Sequence, residues 1–279
     1  MHSIWHSLTT ARPGYAAAAF LLYVVSLVIA GARWRGFLRA LGGDASVMRA
    51  TLATLGGIAA GNLTPAPGGE AVRITLLRLD GRATWQQATV AAIWDRLTEV
   101  PPILVLSAMT LVAVRSIAAG WQARAIGIAA VIVAAIAALA IWRLRRSDVH
   151  VSGWRDRLAL DRISGRLVAA GVGYSSLLWL QDFLRLTCAT LAFGVVLSPT
   201  RIATLSVLAM LGGLVPGIAG LGPVEGGLVA GLMAFGIDFP TAAAVTALER
   251  AISYGFSTAA GAVVIALFGG RSVWSAAKR

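Results

Sequence analysis

The sequence has 279 residues, of which 58% are hydrophobic and only 13% are charged, against about 25% charged residues in an average soluble domain. Its long apolar runs exclude a soluble globular enzyme of ordinary composition and indicate an all-α polytopic membrane protein; few segments alternate as the strands of an outer-membrane barrel do. The net charge of +12 does not indicate nucleic-acid binding, because the arginines lie at the ends of apolar segments, where they set membrane orientation.

Five apolar segments are predicted to cross the membrane completely. Trp85, Trp121 and Trp142 fall at predicted ends, as interfacial aromatic residues do. In chain order the predicted crossings are 15–31, 85–114, 121–143, 166–196 and 240–268.

Two further apolar segments, 47–79 and 201–235, are broken in the middle by proline and glycine. Each arm has about 15 residues, which is short for a crossing. We interpret both segments as re-entrant helical hairpins, because a break at membrane depth survives only where protein or a polar cavity satisfies the freed backbone groups. The break residues are Pro65, Pro67, Gly68 and Gly69 in the first hairpin and Pro216, Gly222 and Pro223 in the second.

The two broken segments belong to an internal repeat. In each copy the break is followed by a glutamate and, 25 or 26 residues later, by an arginine with an acidic residue directly before it. A single predicted crossing joins the copies, so the second copy starts on the opposite side of the membrane and the repeat is inverted, as in many secondary transporters. We therefore expect one membrane domain, 1–279, made of repeat one (about 15–114), a linking helix (about 121–143) and repeat two (about 166–268).

The distribution of basic residues predicts a cytoplasmic membrane protein with its N-terminus outside and its C-terminus inside. With this orientation most basic residues, including Arg33 and those between 143 and 166, fall in inner segments. The outer segments hold only Arg12, Arg115, Arg124 and Arg201.

The acid–arginine pairs are the predicted site. Each lies about ten residues inside its helix, which at 1.5 Å per residue is roughly 15 Å deep and near the midplane. Ionisable groups there cost ~2.5–3.5 kcal/mol each unless they are paired or hydrated, so we expect a polar chamber. Adjacent helical residues point about 100° apart, so each charge needs a partner on another element. We predict that Glu70 pairs with Arg96 and that Glu225 pairs with Arg250.

Two interpretations of Glu70 and Glu225 stay open. They are acids at the start of a half-helix that neutralise an arginine, or they shape a site where arginines meet a phosphate, which can replace a carboxylate partner. Asp182 and Arg185 form a local ion pair or line the chamber. The predicted binding residues are Glu70, Arg73, Asp95, Arg96, Glu225, Glu249 and Arg250, with Asn62, Glu99, Asp182 and Arg185 as secondary candidates.

Enzymatic signals are weak. The sequence has no Ser/His/Asp, HExxH or Walker pattern, and its single Cys188 provides no metal set, so we expect no catalytic activity, cofactor or metal. Pro101 and Pro102 should kink the helix just beyond Glu99.

These motifs resemble those of the lysylphosphatidylglycerol synthase transmembrane region, a flippase-like family that includes the membrane half of the multiple peptide resistance factor. Asp95 replaces the glutamate of the family's E-R-L motif, and Gly217-Ile218 depart from its P-x-P pattern. The segments that carry the resemblance are Asn62 to Arg73, Asp95-Arg96-Leu97, Pro216 to Glu225, Glu249-Arg250 and Arg33-Trp34.

The resemblance implies lipid translocation between leaflets. The implied substrates are aminoacylated phosphatidylglycerol, other anionic phospholipids, polyprenyl-phosphate carriers or glycolipids, so the expected partner is a membrane lipid with a phosphate-containing head group. Without an ATP motif, transport would be downhill or ion-coupled, and protonation of Glu70 or Glu225 is one candidate for coupling. A lipid-modifying enzyme or accessory subunit, a small-solute or ion transporter, and homo-oligomer formation stay open.

Overall fold

The computed structural model describes residues 11–64, 68–106, 159–214 and 222–277, and all regular structure in these ranges is helical. The all-α prediction is therefore confirmed for them. The predicted linking helix, 121–143, and the break residues Pro65, Pro67 and Pro216 lie outside the described residues. The helices are α1 (Pro13–Ala40), α2 (Val47–Leu63), α3 (Gly68–Leu79), α4 (Trp85–Leu97), α5 (Gly165–Ala192), α6 (Pro199–Leu214), α7 (Pro223–Ala234), α8 (Phe239–Arg250) and α9 (Ser257–Ala277).

Three helices in the described part of the chain are long and apolar enough to cross a membrane. They are α1, α5 and the continuous stretch Phe239–Phe268, in which the π-helical turn Ala251–Phe256 joins α8 to α9. Large apolar side chains are exposed at helical spacing on the outer faces of α1 and α5, as expected for surfaces in contact with lipid. Examples are Leu21, Val25 and Val28 on α1 and Leu177, Leu180 and Leu184 on α5.

Helices α1 and α5 pack along their length in opposite directions. The backbone N–H of Arg12, just before α1, donates to the carbonyl of Ala192 at the end of α5 over 2.7 Å. Towards the other end of α1, Phe37 packs against Gly171, which is near the start of α5. The helix starts fit their sequences: Pro13 occupies the first turn of α1, and the Ser164 hydroxyl accepts a bond from the backbone N–H of Leu167.

The arms of each broken segment pack closely as antiparallel helices. In the first segment a methyl group on Gly57 would lie only 2.8 Å from the carbonyl oxygen of Gly69, so α2 and α3 touch backbone to backbone. In the second, a methyl group on Gly212 would lie 2.9 Å from the backbone of Val224, at the start of α7. Glycine permits this approach, as in other helix pairs within membranes.

The predicted crossing 85–114 is interrupted. Helix α4 ends at Leu97, Thr98 and Glu99 form a turn, and the chain is helical again over 100–106. The sequence placed the kink beyond Glu99, at the two prolines, whereas the turn precedes them. Pro101 and Pro102 instead lie in the first turn of the next helix, where a missing N–H breaks no hydrogen bond.

Each half of the chain has its own apolar core. The first lies among α1 to α4 and contains Trp34, Phe37 and Leu77. The second lies among α5 to α8 and contains Leu205 and Leu228. The charged residues described next lie beside these two cores.

Candidate functional site

Arg33 lies inside the protein and not in an inner segment beyond the first crossing, where the sequence analysis placed it. Helix α1 continues past the apolar run to Ala40, and Arg33 is 3% exposed. Its guanidinium donates to Asp95 Oδ1 over 2.6 Å, to Glu99 Oε1 over 2.6 Å and to Ser175 Oγ over 2.7 Å. Arg33 therefore joins α1 to α4 and α5.

Asp95 binds two arginines and is completely buried. While its Oδ1 accepts from Arg33, its Oδ2 accepts from Arg73 Nη2 over 2.8 Å. The Arg73 guanidinium also lies over the ring of Trp34, 4.0 Å from the ring centroid. One carboxylate thus holds α1, α3 and α4 together, and the two positive charges offset the cost of burying it.

The predicted pairing of Glu70 with Arg96 is present. Arg96 Nε donates to Glu70 Oε1 over 2.9 Å, and Arg96 Nη1 donates to both oxygens of Glu99 over 3.0 and 3.1 Å. With Arg33, Arg73 and Asp95 these residues form a first cluster in which three arginines face three carboxylates. Its members are Arg33, Glu70, Arg73, Asp95, Arg96 and Glu99.

A second cluster is built from α5, α7 and α8. The Arg185 guanidinium donates to Glu249 through Nη1 and to Asp182 through Nη2. The predicted pairing of Glu225 with Arg250 is also present, with Arg250 Nε 2.7 Å from Glu225 Oε1. In this cluster two arginines face three carboxylates. Its members are Asp182, Arg185, Glu225, Glu249 and Arg250.

Glu225 also organises the start of its helix. Its second oxygen, Oε2, accepts from the backbone N–H of Gly222 over 2.7 Å, and Pro223 occupies the first position of α7. Gly222 has φ +94°, a conformation that favours glycine. Glu225 therefore begins a helix and neutralises an arginine, as the first of the two sequence interpretations describes.

The two clusters lie at different levels along α1. Arg33 marks the level of the first, and the Arg185 guanidinium lies 5.6 Å from the ring centroid of Tyr23 at the level of the second. Ten residues of α-helix separate Arg33 from Tyr23, which corresponds to about 15 Å. Polar groups are therefore present at two depths of the helix pair.

A cavity of about 420 Å³ extends between the two levels. One face of α5 lines it, from Ser175 through Trp179 to Arg185, and α6 contributes Ser206. The charged residues on its wall come from both clusters: Arg33, Glu99, Asp182, Arg185, Glu249 and Arg250. Asp182 and Arg185 therefore both pair locally and line the chamber.

A smaller cavity of about 320 Å³ lies beside the helix pair α2 and α3. Glu70, Arg73 and Arg96 line it together with Asn62. The Asn62 side-chain amide donates to Thr258 Oγ1 over 2.8 Å and to Ser257 Oγ over 3.2 Å. These bonds attach the end of α2 to α9.

Several buried polar atoms of the larger cavity have no hydrogen-bond partner among the described residues. They are Arg250 Nη2, which is a donor, and Glu249 Oε2, Ser206 Oγ and Ser253 Oγ. Such groups are costly unless a ligand or water satisfies them, so the cavity suits a ligand with both acceptor and donor groups. Within the same ranges, no group of three His, Cys, Asp or Glu side chains is placed to hold a metal ion.

Sequence reasoning missed four polar residues of this site. Arg33 gave a signal only through the Arg33-Trp34 motif, and Ser175, Ser206 and Ser253 were not predicted as site residues, because isolated serines are common in membrane helices. The predicted break residues Gly68, Gly69, Gly222 and Pro223 lie at or just before the starts of α3 and α7.

Comparison with known proteins gives a family match and similar membrane proteins. The family model for the lysylphosphatidylglycerol synthase TM region matches residues 1–261. A UPF0104 membrane protein of Methanothermobacter thermautotrophicus is 28% identical over 300 residues, covering 94% of this chain and 88% of the relative. A UPF0104 membrane protein of Pyrococcus horikoshii is 24% identical over 286 residues, covering 88% and 85% of the two chains.

Proposed function

Because the chain belongs to the lysylphosphatidylglycerol synthase transmembrane-region family, as its motifs predicted, we propose that it moves a lipid with a phosphate-containing head group between the leaflets of the cytoplasmic membrane. One observation carries this proposal: charged residues from both clusters line a single open cavity between helices whose outer faces are apolar. A head group would cross this polar chamber while its apolar tails stay in lipid. No catalytic step is part of the proposal.

The proposed architecture is an inverted repeat with two re-entrant hairpins. Two features support it: α1 and α5 each have 28 residues and run in opposite directions, and each is followed by a tightly packed helix pair and then by an acid–arginine helix. Two copies in opposite orientations provide an equivalent opening towards each leaflet, which alternating access requires. In this arrangement the N-terminus lies outside and the first hairpin enters from the cytoplasm.

We assign the phosphate to Arg250. Its Nε is held by Glu225, which fixes the side chain, and its buried Nη2 has no partner among the described residues on the cavity wall. Arg33, by contrast, already donates through all three of its nitrogens. A guanidinium held on one edge and free on the other suits a phosphate oxygen.

A transporter of a small anionic solute is the second candidate. The observation in its favour is the volume of the cavity, about 420 Å³, which lies within the usual range for small-molecule sites. Both candidates place an anion at Arg250, so the test must separate lipid from solute.

Purified protein in phosphatidylglycerol vesicles tests the proposal. A fluorescent phosphatidylglycerol is placed in both leaflets, and dithionite added outside bleaches only the label that reaches the outer leaflet. We expect bleaching to continue past the outer-leaflet fraction with the wild type and to stop at that fraction with Arg250→Ala. The control is Arg39→Ala, which replaces an exposed arginine in the last turn of α1 and should bleach like the wild type.

Two outcomes separate the candidates. Bleaching confined to the outer leaflet in wild-type vesicles, together with uptake of labelled glycerol phosphate, would show that the substrate is a small solute and not a lipid. If vesicles that hold folded protein show neither lipid movement nor solute uptake, both candidate functions are overturned.

A further inference from the structure

The two clusters differ in how their central carboxylates are neutralised. In the first, Arg33 binds one oxygen of Asp95 and Arg73 binds the other. In the second, Arg185 binds Glu249 Oε1, whereas Glu249 Oε2 is buried without a hydrogen-bond partner among the described residues. The second carboxylate therefore lacks the second positive partner that the first one has.

The sequence accounts for this difference. Arg73 lies three residues after Glu70, and the residue three positions after Glu225 is Leu228. Leu228 is buried in the second apolar core and cannot take the place of a guanidinium. The substitution leaves the second cluster with two arginines against three carboxylates, so a single added cation would restore the balance of the first cluster.

Two hydroxyl groups accompany the free carboxylate oxygen on the cavity wall. Glu249 and Ser206 are 6% and 3% exposed, and both carry an oxygen with no partner in the described part of the chain. Ser253 Oγ, also buried and without a partner there, lies in the π-helical turn. Ser253 stands four residues after Glu249, as Glu99 stands four after Asp95, so a neutral oxygen replaces a carboxylate. Short π-helical segments of this kind are frequent at functional sites.

We propose that Glu249 Oε2, with the hydroxyl groups of Ser206 and Ser253, binds a monovalent cation in place of a third guanidinium. The set contains only oxygen atoms and one unmatched negative charge, which suits a singly charged hard ion or a primary ammonium with its three donors. Two sources supply this chemistry: free Na⁺, which would couple transport to an ion, or the ammonium of a head group whose phosphate lies on Arg250. The role in transport rests on the proposed function, whereas binding does not.

Thermal unfolding of the purified protein in detergent tests the site without requiring transport. Melting is measured in NaCl and in N-methyl-D-glucamine chloride at equal ionic strength, and separately with O-phosphoethanolamine or glycerol 3-phosphate. A ligand that binds only the folded state raises the melting temperature as its concentration rises. A rise with Na⁺ identifies the free ion, and a rise with phosphoethanolamine but not glycerol phosphate identifies the ammonium.

Three variants and one control locate the effect. Glu249→Gln keeps an acceptor for Arg185 and removes the negative charge. The concentration of Na⁺ or phosphoethanolamine that gives half of the rise in melting temperature should therefore increase about tenfold, as expected for losing one charge-assisted contact. Ser253→Ala removes one ligand without changing charge and should weaken binding less. Leu228→Arg restores the first cluster's pattern and should abolish the response. Asp44→Asn, at an 84% exposed side chain, should leave it unchanged.

The outcomes separate this site from the proposed function. An equal melting temperature in all four solutions, in wild-type protein, would overturn the cation site even if vesicles show lipid movement. A cation response that weakens in Ser253→Ala, and weakens more in Glu249→Gln, supports the site even if the vesicle assay fails. A response that survives Ser253→Ala and Glu249→Gln unchanged would place the cation elsewhere and overturn the assignment.

Discussion

Arg33 and Arg185 occupy the same position in two helices that run in opposite directions. Each lies 20 residues after the first residue of a 28-residue helix, and each donates to the acidic member of an acid–arginine pair, Asp95 or Glu249. In both halves a buried guanidinium therefore ties the long helix to the helix that follows the broken segment. This pairing holds the walls of the larger cavity at two depths.

Removal of Arg33 should destabilise the fold severely. Arg33→Ala leaves Asp95, which is completely buried, with one arginine in place of two and removes a partner of Glu99. Breaking a buried ion pair in this way costs about 3–5 kcal/mol. The measurement is thermal or denaturant unfolding of the purified protein in detergent.

The matched control is Arg39→Ala, which removes an exposed arginine from the same helix. It should change stability by less than about 0.5 kcal/mol. Similar losses in both variants would mean that Arg33 contributes no more than an ordinary surface arginine.

Arg250 should determine which lipid stays with the purified protein. We expect mass spectrometry to find one phosphate-containing lipid enriched over the bulk membrane in the wild type. Arg250→Ala should reduce that enrichment about tenfold, because one charge-assisted hydrogen bond contributes about 1.5–3 kcal/mol. Arg201→Ala, in the first turn of α6, should retain the enriched lipid. A bulk lipid composition in the wild type as well would contradict a specific head-group site.

The broken helices and their ion pairs were predictable because they repeat. The same order of Pro/Gly break, glutamate and acid–arginine pair occurs twice, and the pairings Glu70–Arg96 and Glu225–Arg250 follow from that spacing and from the cost of unpaired charge in a membrane. The family follows from the same motifs, since the matching model covers residues 1–261.

The rest depends on contacts that local sequence does not encode. The apolar run that predicts the first crossing ends before Arg33. The positive-inside rule then counts Arg33 among the residues exposed to water on the inner side. Its burial becomes evident only when α5 brings Ser175 against it. Ser206 and Ser253 are isolated hydroxyls in apolar helices, and only the folded chain shows that they share a wall with Glu249.

Close packing of α2 against α3 should make Gly57 intolerant of even a methyl group. In Gly57→Ala the new carbon would lie 2.8 Å from the carbonyl oxygen of Gly69, so the two arms must separate. Overpacking of this kind costs about 1–3 kcal/mol, which a lower melting temperature would report. Gly14→Ala provides the comparison, because Gly14 lies in a helix with no atom within 4 Å of the added carbon, and it should be neutral or slightly stabilising. Unchanged stability in Gly57→Ala would show that the arms are not in contact.

Labelling of introduced cysteines should show that the two halves of the chain cross the membrane in opposite orientations. Asp44 and Ser198 lie in equivalent exposed connections, one after α1 and the other after α5, and the end of α5 lies beside the start of α1. In a Cys188→Ser background, Asp44→Cys should react with a membrane-impermeant maleimide only from the cytoplasmic side, and Ser198→Cys only from outside. Permeabilised cells provide the control, because both cysteines should then react. Reaction of both cysteines from the same side would rule out the inverted repeat. Reaction of Asp44→Cys from outside and of Ser198→Cys from the cytoplasmic side would support the inverted repeat but reverse the orientation that the arginines predict.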